Sequence, residues 1–300
     1  MSLVLLVAGL VLVVAGAEVF FDGLVSTART RRLPPFVLTL VVSGFELENL
    51  AAGIAANAKG LGDAAAGTFL GATTFLALGV AGLSALLSPI RAALPLQTFV
   101  WTAAAPVPTF VLARDGVLTR SDGALLLVWF AIALTGLVRP GKGLPLEEPE
   151  EEKRHPLARM LVGLAVLAGA GELLGRGIKE TVARFGISEA LLGNTAIAAS
   201  VEAEEVARVA VPTRRGRGDL ALANILGTVV HFVAFNAGVT ALVKPIELSR
   251  ESLDLHVPAA LGSVVLLAIV LMIFGRIERW LGTLLLAAYV GYVVASILTA

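Results

Sequence analysis

The sequence predicts an all-α membrane protein of about ten transmembrane helices, arranged as two inverted five-helix repeats. Three observations predict it. The 300 residues are 57% hydrophobic and only 15% charged, whereas a soluble domain carries about 25% charged residues. Apolar runs of about twenty residues, the length a helix needs to cross a bilayer, recur roughly ten times. A segment of the first half also recurs in the second, 156 positions later (44 against 200). The runs are long and continuous, unlike the roughly ten-residue alternation of a membrane β-barrel.

The expected spans follow in chain order. The first is 2–22, whose apolar stretch from Leu3 to Ala17 has no basic residues ahead of it and no hydrophilic domain behind it, so it is expected to be a span and not a cleaved signal. Spans two to five are 35–58, 64–88, 94–113 and 121–138, and they complete a first five-helix repeat over residues 1–138. Residues 139–156 form a linker containing Glu147, Glu148, Glu150, Glu151 and Glu152, expected as a solvated cytoplasmic connection. The second repeat, 157–300, holds spans at 157–183, 187–211, 219–243, 255–274 and 279–299. The integral, multi-pass chain is expected in the cell membrane.

Charge gives the orientation. Lys plus Arg (23) balances Asp plus Glu (23), so the net charge offers nothing to a nucleic acid, and none is expected as a partner. The basic residues are unevenly spread: fifteen fall in the connections after the odd-numbered spans and eight in the others. The fifteen include Arg208, near the end of the seventh span, and the cluster Arg214, Arg215 and Arg217. The positive-inside bias makes the odd loops cytoplasmic, with both termini outside. Glu18 and Glu172, toward the ends of the first and sixth spans, are expected to form an interfacial salt bridge or a helix contact and not a gate or proton relay.

The repeat copies share an acid-rich helix opening, Gly44-Phe-Glu-Leu-Glu-Asn49 against Ser200-Val-Glu-Ala-Glu-Glu205, and a loop, Gly60-Leu-Gly-Asp63 against Gly216-Arg-Gly-Asp219. Each half holds five spans. Because five is odd, the second half runs through the membrane in the opposite sense, and a substrate site is expected near the midplane where the halves meet.

That midplane carries acids. Glu46, Glu48, Glu202, Glu204 and Glu205 fall within spans two and seven, where insertion of each costs about 2.5–3.5 kcal/mol. Such groups face a polar cavity, bind a cation or carry a proton, so a functional site is the default expectation. At about 100° per residue, Glu46 and Asn49 share a face, as do Glu202 and Glu205. Glu48 and Glu204 point elsewhere, toward a neighbouring helix or a second ion position. With no cysteine in the chain and three scattered histidines, hard oxygen ligands remain, suited to calcium, sodium or, less easily, magnesium. Thr68 and Asn224, at matching positions one turn before Gly71 and Gly227, are expected to line the site. His231 is expected as a proton carrier or as an interhelical hydrogen-bonding group. No Ser-His-Asp or metalloprotease motif points to an enzyme.

These residues resemble the calcium/cation antiporter superfamily, whose members include sodium/calcium and calcium/proton exchangers. The resemblance covers nearly the whole chain: an Ala-Glu or Gly-Glu pair in the first helix of each half, an acidic linker, and two divergent alpha repeats. Taking the register from Asp63, Asp219, Gly71 and Gly227, the family's ion-binding glutamates fall on Glu205 and on Asn49, and its later asparagine falls on Thr68 and Asn224. The family's Thr-Ser pair is Phe45-Glu46 and Val201-Glu202 here, and its proline is Glu48 or Glu204. The resemblance implies a secondary active antiporter that uses alternating access. Its cage, Glu46, Asn49, Thr68, Glu202, Glu205 and Asn224, would take inorganic cations, calcium against sodium or, alternatively, protons. Glu48, Glu204 and His231 would be supporting or proton-coupling groups, and no resident cofactor is implied. A non-transporting cation sensor is the competing reading; the intramembrane acids weigh against it, because aqueous loops are the cheaper place for ligands. Oligomeric state is not legible in the sequence.

Overall fold

The computed structural model describes residues 2–146, 155–184 and 204–299. Among them nine helices are long and apolar enough to cross a membrane: Val7–Thr30, Pro35–Ala58, Gly62–Leu87, Leu96–Asp115, Arg120–Gly141, Pro156–Leu173, Gly218–Val243, Ser252–Phe274 and Arg279–Thr299. A helix over 204–214 is the described part of the expected seventh span, so Gly218–Val243, Ser252–Phe274 and Arg279–Thr299 are spans eight, nine and ten. Glu202 and the five linker glutamates lie outside the described residues. Large apolar side chains remain on the outer surface, among them Leu10, Val11, Ile273, Trp280 and Leu298. So many exposed apolar side chains suit lipid and not water.

The inverted pairing is visible in contacts that come in twos. Ile90–Arg91, after span three, pairs antiparallel with Arg276–Ile277, between spans nine and ten. Val117–Leu118, after span four, pairs with Ile246–Glu247, after span eight. Each short ladder therefore joins two odd loops or two even loops, as spans that alternate in direction require. The seams between spans repeat the pattern. A Cβ on Gly282 of span ten would sit 2.8 Å from the Gly82 carbonyl of span three, and one on Gly123 of span five 2.7 Å from the Gly238 carbonyl of span eight. Only glycine lets these backbones touch.

Two short π-helical turns share the repeat register. Phe75–Val80 interrupts span three and His231–Asn236 interrupts span eight, each starting 156 positions from the other. Spans one and six pack along each other; a Cβ on Gly163 would lie 2.2 Å from the Phe20 amide nitrogen and one on Gly23 2.3 Å from that of Met160. At their edges Glu18 lies 3.9 Å from Arg215 and Glu172 2.5 Å from Arg176, all surface ion pairs.

One basic residue leaves the loop count. Arg208 stands within a turn of the expected end of span seven at 211, but the helix continues to 214 and Arg208 faces inward, 8% exposed. Its charge is an interior one, and the odd loops hold fourteen basic residues, still against eight.

Candidate functional site

Span two is broken at its centre. Its first helix, Pro35–Val42, ends at Ser43 and its second, Leu47–Ala58, starts after Glu46. The intervening Ser43-Gly44-Phe45-Glu46 is irregular, and irregular backbone at membrane depth persists only where other protein groups satisfy it. They do here: the Thr228 hydroxyl donates to the Ser43 carbonyl at 3.3 Å, and the Ser43 hydroxyl donates to the Asn224 carbonyl at 3.4 Å. Gly44 permits the break to rest on span eight, because a Cβ there would sit 2.0 Å from Nδ1 of His231.

The break puts Glu46 at the start of a helix, halfway along the span, with its side chain 8% exposed. Asn49, one turn on, donates from Nδ2 to Glu46 Oε2 at 2.6 Å. Across the interface Asn224 donates from Nδ2 to Glu205 Oε2 at 3.0 Å. Two carboxylates from opposite halves thus each have one oxygen held by an amide. The other oxygen of each faces Arg208: Nη1 lies 2.7 Å from Glu205 Oε1 and 3.4 Å from Glu46 Oε1. Nη2 is paired with Glu204. The side chains of Glu204, Glu205 and Arg208 are nine-tenths or more buried. A hydrogen-bonded ionic cluster is what makes such burial tolerable, since an unpaired charge here would be strongly destabilising.

The structure therefore brings together Glu46, Asn49, Glu205 and Asn224, and adds Glu204 as a direct member. Glu202 cannot be positioned, as it lies outside the described residues. Thr68 makes its side-chain hydrogen bond outside the cluster. Span three is irregular at Thr68 and Phe69, between the helices Gly62–Gly67 and Leu70–Thr74. There the Thr68 hydroxyl donates to the Ala65 carbonyl at 2.8 Å and stands over Gly53. Its repeat mate Asn224 lies in the uninterrupted helix Gly218–Val230. Glu48 is exposed. His231 is fully buried, with Nδ1 2.8 Å from the Gly227 carbonyl and its ring edge-on to Phe45 and Phe130 at 4.8 Å and to Phe235 at 6.2 Å. Arg208 was the residue missed. Its signal is the spacing Glu204-Glu205-x-x-Arg208, which sets both acids on the arginine's own face at i−4 and i−3.

The family described as sodium/calcium exchanger protein matches residues 1–139 and 155–298. The chain belongs to that family. Among family relatives, the putative antiporter CaxA of Alkalimonas amylolytica is 31% identical over 95% of both chains. The inner membrane protein YrbG of Escherichia coli K12 is 30% identical over 81% of this chain and 80% of its own. The exchanger fold is shared with the sodium-calcium exchanger NCX_Mj, in crystals soaked with zero Na+ and Ca2+, at a TM-score of 0.84 and 23% identity over 98% of both chains. Family, relatives and fold together support cation antiport, the work of a transporter, and a multi-pass membrane protein.

Proposed function

We propose that this chain exchanges calcium for sodium across the membrane by alternating access, with Glu46 and Glu205 as the principal ligands and Asn49 and Asn224 holding their outer oxygens. One observation carries the reading: two carboxylates, one from each inverted half, converge on a single buried cationic position. Ligands drawn from both halves suit a site that opens to one side and then the other, because rocking one half against its mate changes access without dismantling the cage. Carboxylate and amide oxygens are the hard donors that calcium and sodium favour. Spans one and six, paired through glycines, are the pair that slides. The two halves are residues 1–138 and 157–300, the linker between them is cytoplasmic, and both termini lie outside.

Uptake of radiolabelled calcium into proteoliposomes tests the reading. Uptake is expected with an outward sodium gradient at fixed pH, and Glu205→Gln is expected to reduce it at least tenfold. Uptake that follows a proton gradient and ignores sodium would assign the coupling to protons at the same glutamates. Folded protein that moves no calcium under either gradient would end the antiport reading and favour a cation sensor.

A further inference from the structure

The nitrogen that joins the two carboxylates belongs to the protein itself. Arg208 Nη1 bridges Oε1 of Glu46 and Oε1 of Glu205 at 3.4 and 2.7 Å, the two atoms a bound calcium would coordinate at about 2.3–2.6 Å. An arginine in a protein keeps its charge at any working pH, so the cluster holds a fixed positive charge where a transported ion would sit. Three features mark this as a replaceable contact. Nη2 pairs with Glu204 on Arg208's own helix, which keeps the guanidinium tethered when Nη1 lets go. The Nε–H is buried and has no hydrogen-bond partner among the described residues. The guanidinium carbon also lies 5.9 Å from the ring centroid of Phe20. Phe20 is on span one and abuts Gly163 of span six.

We propose that Arg208 is a tethered counter-cation of the site: it bridges Glu46 and Glu205 when no ion is bound, and withdraws onto Glu204 when one enters. This rests on the reading of the cage as a cation site. With Arg208 and Glu204 cancelling each other, the bridge leaves two carboxylates, Glu46 and Glu205, for the incoming ion. Loading and release then exchange one cation for another in the same gap, and the ion-free cage is never left with three uncompensated buried carboxylates. Arg208 also lowers the site's affinity, because the ion must displace a like charge a few ångströms away.

The test is equilibrium dialysis of radiolabelled calcium against the full-length protein in detergent, for wild type, Arg208→Gln and Arg208→Lys, each with its unfolding temperature. Arg208→Gln is expected to bind calcium about tenfold tighter or more, the sign that removal of a competing charge gives. Arg208→Lys, which keeps the charge, should stay within about threefold of wild type. Unchanged or weaker binding by folded Arg208→Gln overturns the proposal, because removing a charge that competes with the ion must raise the affinity for it. If Arg208→Gln does not fold, wild type is treated with an arginine-selective dicarbonyl, and the label at residue 208 is read by mass spectrometry. Saturating calcium should increase that label, since the guanidinium gives up two of its three carboxylates; an unchanged or reduced label overturns the proposal. The underlying cation-site reading fails separately, if wild type and Arg208→Gln alike bind no calcium.

Discussion

Asn224 donates to the Glu205 oxygen that Arg208 does not hold, so its amide fixes the carboxylate's rotation. Hydrogen bonds to charged groups contribute about 1.5–3 kcal/mol. Asn224→Ala should therefore weaken calcium binding by about tenfold or more in the same dialysis measurement, and an unchanged isotherm would remove Asn224 from the site. At this scale the sequence was partly legible. The three-residue spacing of Glu46 and Asn49 predicted a shared face, and the pair meets at 2.6 Å. Repeat equivalence also made Thr68 the counterpart of Asn224, and there the inference stops at the irregular turn. That turn directs the hydroxyl to Ala65, and no one-dimensional comparison of the two copies contains it.

The helix break in span two packs on span eight most closely where Gly44 meets His231. The imidazole is itself hemmed in by Phe45, Phe130 and Phe235, so it has little room to yield. Gly44→Ala should destabilise the protein by about 1–3 kcal/mol, the usual cost of overpacking, read as a lower unfolding temperature in detergent. Combining it with His231→Ala should recover part of the loss, whereas an unshifted Gly44→Ala would mean the ring moves freely. The apolar run 35–58 foretold the span but not its interruption. A Ser-Gly pair is tolerated in many membrane helices, because neighbours there satisfy freed backbone groups, so it does not by itself dictate a break. The matched π turns were equally hidden, since their insertion changes the hydrogen-bond register and leaves composition untouched.

Across the whole molecule the strand pairs give a topology that can be checked without background, because the chain has no cysteine. Single variants Arg91→Cys and Arg276→Cys, partners in one ladder, should react with a membrane-impermeant thiol reagent from the same side. Val117→Cys and Glu247→Cys, partners in the other, should react from the opposite side. The positive-inside reading makes the first pair cytoplasmic, and labelling of all four from one side would refute the inverted arrangement. The glycine seams are testable as a pair: Gly282→Val and Gly123→Val should each lower the unfolding temperature, since each branched side chain meets a carbonyl closer than 3.0 Å.

The membrane class, the nine spans seen among the described residues, the repeat register and the acids carried within spans two and seven were legible in the sequence, because apolar length, repeat register and charge are properties of the chain read in one dimension. Which of those acids meet, and what lies between them, was decided only by the tertiary structure. Glu46 and Arg208 stand 162 positions apart, and their encounter depends on the broken helix of span two, the rotation of the 204–214 helix and the packing of Gly44 on span eight. Arg208, which counted in sequence as one more positive charge near a cytoplasmic loop, becomes in space the cation that joins the two halves.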